Sequence, residues 1–377
     1  MKVIIAGDFC PSDRVAKLID SGKGREALCN VVKVIDSAHY AIVNLECPVV
    51  DDCGCPIPKS GPRLKCTSKS IGLLKEVGFD CVTLANNHFR DYGDKGVSNT
   101  IRWLEETGVK YVGGGKNLED AEKSLIVSVD NKTIAVINAC EHEFSIASAN
   151  RGGSNPLNVV RVAREIINAR NKTDFVLVII HGGNEYYQLP SPRMKELYRF
   201  FVELGADAVV NHHQHCFSGF EVYQGKPIFY GLGNFCFDLK SKRNSTWNEG
   251  YMVCIDFNEE IKYNLIPYNQ CDNEAKIVLL QDEDLRVFYE TIDKLNDVIR
   301  DTARLEYCYA EFCKKRKKSL VGPFTAYLTK YAYIAAAHRL LPYLWPVNKM
   351  IVQLNCIQCE SHRDVLVRIM HDRFEKM

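Results

Sequence analysis

The sequence has no long uninterrupted apolar run, almost no net charge and no nucleotide-type glycine loop, and each absence removes a class of function. From Met1 and Lys2 the chain enters "VIIAGDF", an apolar segment too short for a signal-peptide core or a membrane span, so a cytoplasmic location is expected. A formal net charge of +1, with 25% charged residues, leaves no whole-molecule field for polyanions, and no nucleic-acid partner is expected. "GGG" at 113–115 lacks the GxGxxG spacing and reads as a turn. No internal repeat is visible. Cysteine, by contrast, is abundant: 16 are scattered through apolar strand and helix patterns, which suits reduced, buried thiols rather than a disulfide framework. Cys47, Cys53, Cys55 and Cys66 share one loop-rich region, and Cys356, Cys359 and His362 form a CxxCxxH near the C-terminus; neither has the second close pair or fourth ligand of a zinc site.

What is present is a core. With 377 residues and 46% hydrophobic content, two or three units of roughly 150 residues can fold. Short β-branched runs at 3–6, 39–43, 81–85, 125–129, 133–138, 174–180, 207–210, 227–231 and 251–257 alternate with helical periodicity at 24–36, 69–77, 94–107, 159–170 and 193–204. That alternation predicts an α/β fold built on a mainly parallel sheet. The later strands lack intervening helices and predict a second, more antiparallel sheet, hence a layered sandwich. A division into a domain at 1–268 and a helical C-terminal extension at 269–377 is expected, with Leu285, Phe288, Ile292, Leu295 and Ile299 forming one apolar stripe. Farther on, "KKRKK" at 314–318 precedes "YLTKYAYIAAAHRLLPYLWP", which its Lys330, His338, Arg339 and two prolines make a poor membrane span. The extension reads either as packing on the domain or on a partner, or as contact with a membrane surface or anionic polymer.

Metal-capable side chains collect where strands end. Asp8 follows the first strand, Asn44 and Glu46 the second, and Asn86, Asn87 and His88 the third; His181 ends "FVLVIIHGGNE", and His213 and His215 follow "DAVVNHHQH". Singly, each is as well explained as a helix cap or a satisfied core group. Five strand ends together are not, because in open parallel sheets the ligand crevice lies beyond the carboxyl ends of the strands. A mix of hard oxygens and imidazoles there suits one or two divalent ions: Mn, Fe, Zn or Mg. Glu185, four residues after His181, leaves the same strand and is a candidate acid or base. "PKSGPR" at 58–63 carries Lys59 and Arg63 around a turn that could receive a carboxylate or phosphate. Asn234 in "GLGNF" is a candidate for orienting a neighbouring ligand.

The stretches "AGDF", "NLECP", "LANNHFRDYG", "HGGNEY" and "HHQHCFSGFEVYQGKPIFYGLGNFCFD" together resemble the CapA-type capsule biosynthesis (poly-γ-glutamate capsule, PGA_cap) family, over about residues 2–240. The resemblance implies a layered α/β/β/α sandwich of metallophosphoesterase type. It further implies metal ligation by Asp8, Glu46, Asn87, His181, His213 and His215: Asp8 and His215 on one ion, Asn87, His181 and His213 on another, Glu46 between them. His88 would then stand near the leaving group as general acid, and Asn44 and Asn86 would meet substrate. The chain departs from the phosphoesterase pattern twice, with Cys10 where a histidine is expected and Glu46 where an aspartate is, and loss of that histidine weakens the first metal position.

Two functions follow from that resemblance. One is a metal-dependent hydrolase acting on an ester or peptide-like bond of an anionic polymer or phosphorylated precursor in capsule or exopolymer biosynthesis. The other is a non-catalytic, metal- or substrate-binding component of a polymer synthesis or export complex, docked on a peripheral membrane partner through its C-terminal helices.

Overall fold

The computed structural model describes residues 1–51, 54–321, 334–335, 338 and 347–374. Elements run in the order β1 (Lys2–Phe9), α1 (Asp13–Asp20), α2 (Arg25–Ile35), β2 (Tyr40–Leu45), α3 (Ser68–Glu76), β3 (Cys81–Thr83), α4 (Gly93–Thr107) and β4 (Lys110–Val112). There follow β5 (Gly114–Gly115), α5 (Leu118–Ala121), β6 (Leu125–Val129), β7 (Lys132–Cys140), β8 (Gly153–Ser154), α6 (Val159–Arg170), β9 (Phe175–His181), α7 (Pro192–Glu203) and β10 (Ala208–His212). The chain continues through β11 (Phe220–Tyr223), β12 (Lys226–Phe229), β13 (Asn234–Cys236), β14 (Glu249–Asp256), β15 (Lys262–Gln270) and β16 (Ile277–Leu279). It closes with α8 (Asp282–Arg300), α9 (Thr302–Val321), α10 (Val347–Gln358) and α11 (Glu360–Phe374).

Two sheets stack face to face. The first has the order β16-β15-β14-β1-β2-β3-β4, with β13 also pairing β1; the second runs β11-β12-β10-β9-β7-β6. Their central strands are buried on both faces, and the period of two sorts side chains between layers. In β1, Ile4 and Ala6 join the core under α1 to α4, while Val3 and Ile5 join the core between the sheets. In β9, Leu177 and Ile179 face that same inter-sheet core, and Val176, Val178 and Ile180 face α6 and α7. The result is the α/β/β/α layering expected.

Two expectations are corrected. The second sheet is not the more antiparallel one: β7, β9, β10 and β12 run parallel, and the antiparallel strands β14, β15 and β16 extend the first sheet instead. Missing helices told that these strands pair antiparallel, but not which sheet they join. Nor does the division fall at 268. That residue lies inside β15, β16 still pairs with it, and Phe288 and Ile292 of α8 pack in the inter-sheet core. Of the C-terminal stretch, "YLTKYAYIAAAHRLLPYLWP" lies almost wholly outside the described residues. Among described residues, no helix is long and apolar enough to cross a membrane.

The junction that positions the site is the end of β1. Over Lys2–Ile5 it pairs with β14, but at Asp8 and Phe9 its neighbour becomes β13, arriving from the second sheet. Gly7 sits at this exchange, and a Cβ there would stand 1.9 Å from the Gly233 carbonyl oxygen. Backbone cannot retreat as a side-chain tip can. Gly7→Ala is therefore expected to destabilise the fold by about 3 kcal/mol or more, read by denaturant titration, or to prevent folding; a loss under 1 kcal/mol would show that the sheets meet more loosely.

Candidate metal centre

Both sheets turn their carboxyl edges to the same place, and the strand-end side chains meet there. Asp8 receives Asn44 Nδ2 on Oδ1 at 2.7 Å and the His213 backbone N–H on Oδ2 at 3.2 Å. His181 Nε2 lies 3.1 Å from Asn87 Oδ1, 3.0 Å from His213 Nδ1 and 3.6 Å from Glu46 Oε1. His215 Nε2 lies 3.6 Å from the same Glu46 oxygen, and its Nδ1 is 2.9 Å from Asn234 Oδ1. Two groups of potential ligands result, Asp8–Glu46–His215 and Glu46–His181–His213, each with donor atoms within 4.8 Å of one another and Glu46 common to both. Asn87 Oδ1 adds a neutral oxygen to the second.

Local backbone serves this convergence. His213 and His215 have φ of 93° and 55°, a left-handed geometry that costs about 1–3 kcal/mol per non-glycine residue. The strain folds the segment after β10 back on itself, so that alternate residues both present rings to the cluster.

Electrostatics single out Glu46. It is fully buried, and neither carboxylate oxygen has a hydrogen-bond partner. Burial first, and then the charge of Asp8, push its carboxyl well above the ordinary value. Unpaired buried carboxylate oxygens beside a second carboxylate are the environment a cation corrects. The donor set of carboxylate, imidazole and amide oxygen therefore fits a divalent ion. His181 is pushed far below its ordinary value by burial and then by the neighbouring His213, so it stands neutral, the form that ligates metal.

His88 is placed at the edge of the cluster, outside both donor groups. Its Nδ1 lies 2.7 Å from Asp91 Oδ2, and Lys59 Nζ is 2.5 Å from Asp91 Oδ1 and 3.2 Å from His88 Nδ1. Burial, then Lys59, lower the His88 pKa against the pull of Asp91. With Nδ1 engaged by Asp91 and Lys59, Nε2 is the ring nitrogen left for proton exchange. Glu185 faces the same histidines. Burial opposes its ionisation, but His215 and His213 hold its carboxyl below the ordinary range.

The structure places the four residues expected from sequence to contact substrate at different depths. Asn44 and Asn86 are fully buried: Asn44 Oδ1 accepts from Thr83 Oγ1 at 3.1 Å, and Asn86 Nδ2 donates to the Leu45 carbonyl at 2.9 Å. They brace the cluster from beneath, Asn44 through the side chains of Asp8 and Thr83 and Asn86 through the Leu45 carbonyl. Lys59 is buried and engaged by Asp91, not open to a ligand. Arg63 is exposed and folds onto its own turn, donating to the carbonyls of Lys59 and Gly61. Cys10 packs with Cys47 and Cys66 in the core under α1 to α4 and belongs to neither ligand group, and burial raises the Cys47 thiol well above its ordinary range. Described cysteines are free thiols, and no metal-capable group among described residues contains one; Cys53 lies outside them.

Sequence reasoning passed over Asp91, although "HFRD" puts it three residues after His88, and it passed over Trp247 and Tyr186. The Trp247 ring lies 4.5 Å from that of His215, and Tyr186, exposed and at φ 61°, flanks both, with Lys242 Nζ 4.4 Å above its ring. Nothing in the sequence marks Glu143, whose Oε1 lies 3.8 Å from His213 Nε2.

Comparison with known proteins adds to this geometry. The family model described as Bacterial capsule synthesis protein PGA_cap matches residues 2–239. The chain is 30% identical over 246 residues to capsule biosynthesis protein CapA of Bacillus anthracis, covering 63% of this chain and 60% of that protein. It is 31% identical over 236 residues to PGA biosynthesis protein CapA of Bacillus subtilis (strain 168), covering 62% of each. The match thus spans about three fifths of these curated relatives. Among solved structures, a novel phosphatase from Mycoplasma pneumoniae aligns over 78% of this chain and 98% of its own, with TM-score 0.46 and 15% identity. The calcineurin-like phosphoesterase YfkN from Bacillus subtilis aligns over 81% and 98%, with TM-score 0.38 and 13% identity.

Proposed function

The chain belongs to the bacterial capsule synthesis family PGA_cap, and from that premise we propose that it is a divalent-metal-dependent hydrolase acting on an anionic intermediate in the making of a cell-surface polymer. The observation that carries this reading is the buried, unpaired Glu46 shared by two ligand groups. A divalent ion held there, Mn, Fe, Zn or Mg, would supply Lewis acidity toward a phosphoester or peptide-like bond.

The protein's own groups do the rest. Asp8, Glu46 and His215 would hold one ion, and Glu46, His181, His213 and Asn87 a second. Asn44 and Asn234 fix the orientation of Asp8 and His215. His88 Nε2 exchanges a proton with the reacting oxygen, its ring held by Asp91. Glu185 stands as a further proton acceptor. The rim of Tyr186, Trp247 and Lys242 gives substrate a planar wall and a cation. Lys242→Ala is accordingly expected to raise KM several-fold for an anionic substrate with kcat little changed, since the lysine touches the rim and not the reacting centre. An equal fall in kcat would move Lys242 into the chemistry.

The function is tested by metal analysis of the purified protein, joined to hydrolysis of a generic aryl phosphate with and without added Mn. Metal-dependent turnover, lost in His181→Ala protein that keeps its circular dichroism, supports the reading. Metal bound without turnover on ester or peptide-like substrates favours the second reading, a non-catalytic component of a synthesis or export complex. Two observations lean that way: Cys10 offers the first position no imidazole, and α10 exposes Val347, Met350, Leu354 and Ile357 along one face, where a membrane or complex partner could dock.

A further inference from the structure

The family match ends at residue 239, yet helices α10 and α11 reach the rim of the cluster. They grip the loop after β7 at three consecutive residues. Glu141 accepts from the Ser361 N–H at 3.2 Å and Ser361 Oγ at 2.9 Å. His142 meets Glu360 through its backbone N–H at 2.8 Å and its Nδ1 at 2.6 Å. Glu143 Oε2 accepts from Asn355 Nδ2 at 3.2 Å. The other Glu143 oxygen faces His213 Nε2 at 3.8 Å, while the Nδ1 of that ring faces His181 and the cluster.

An imidazole with the ligand cluster on one nitrogen and a carboxylate on the other is the arrangement by which a second carboxylate sets tautomer and ring angle of a metal-bound histidine. From this juxtaposition we infer that Glu143 is a positioning residue for His213, that Asn355 holds it in place, and that the C-terminal helices are therefore part of the metal centre. The inference rests on the metal reading above. At 3.8 Å the contact is electrostatic, longer than a direct hydrogen bond.

The test uses the full chain, stripped with chelator and titrated with Mn or Zn against a fluorescent chelator. Glu143→Gln keeps shape and removes charge; its affinity is expected to fall about 10–100-fold. Asn355→Ala should fall in the same direction, and the double variant should be no worse than Glu143→Gln alone. A second readout needs no metal: hydrogen exchange of the loop at 141–147 should quicken in stripped Asn355→Ala protein. Wild-type affinity in both single variants overturns the inference, as does unchanged loop exchange. A wild-type protein that takes up no metal instead overturns the metal reading itself, and this inference with it.

Discussion

Stripped of metal, Glu46→Gln protein is expected to melt above stripped wild type and to gain nothing when Mn or Zn is added. The cause is the unpaired burial of Glu46. Its carboxyl is raised by burial and by Asp8, so the native state binds a proton that the unfolded chain, with an ordinary value of 4.5, has released. Stability of the stripped protein then falls as pH rises above that value, by at most about 1.4 kcal/mol per pH unit, until the folded carboxyl itself ionises. The amide removes that dependence. Stripped variant and wild type should be alike near pH 4.5 and separate progressively towards neutrality. Added ion reverses their order. Wild type gains RT ln(1 + [L]/Kd), about 2.7 kcal/mol at a hundred times Kd, while the variant lacks the carboxylate common to both ligand groups. The measurement is a pair of melting curves at several pH values, with and without ion. A stripped variant that melts lower than stripped wild type at pH 7, or one that responds to ion as wild type does, would overturn the assignment of Glu46.

What could be read in advance was whatever a strand dictates by its own direction. Asp8, Glu46, His181 and His215 sit just past runs of β-branched residues, and parallel strands bring such ends to one edge whatever the distance in sequence. Depth could not be read the same way. Asn44 and Glu46 differ by two residues, yet one amide is satisfied by Asp8 and Thr83 beneath the site and the other side chain is left without a partner. Whether Lys59 faces solvent or Asp91 is decided by the return of the loop at 57–64 onto the segment after β3, where the Ile57 N–H meets the Asp91 carbonyl at 2.9 Å. No local pattern encodes that return. The same holds for Glu143 and Asn355, 212 positions apart, which meet where the C-terminal helices pack beside α7, Arg193 bonding Ser361 and Asp364. Amphipathic periodicity shows that such helices need a surface to cover; it does not name the surface.

The largest loss of activity without loss of metal is expected from His88→Ala. His88 belongs to neither ligand group, so metal content should stay at the wild-type level while kcat falls about 10²–10⁴-fold, the range for removing a positioned acid–base group. Asp91→Asn is a poor companion test. Asp91 also receives the Leu64 N–H at 2.7 Å and the side chain of Lys59, and the amide would leave a buried cation unpaired, confusing catalysis with folding. Lys59→Met breaks the same buried pair but leaves Asp91 its contacts with the His88 ring and the Leu64 N–H. The lysine lowers the His88 pKa, so its removal should raise it. The sign then follows without deciding whether His88 gives or takes the proton. If Nε2 must be free, the acid limb of the kcat/KM profile moves to higher pH; if it must carry the proton, the alkaline limb moves to higher pH. Either way the limb that His88 governs shifts upward, and which limb moves identifies the role. A His88→Ala protein within tenfold of wild type, or a Lys59→Met profile that stays in place or shifts downward, would remove His88 from the reaction and leave Glu185 as the candidate proton acceptor.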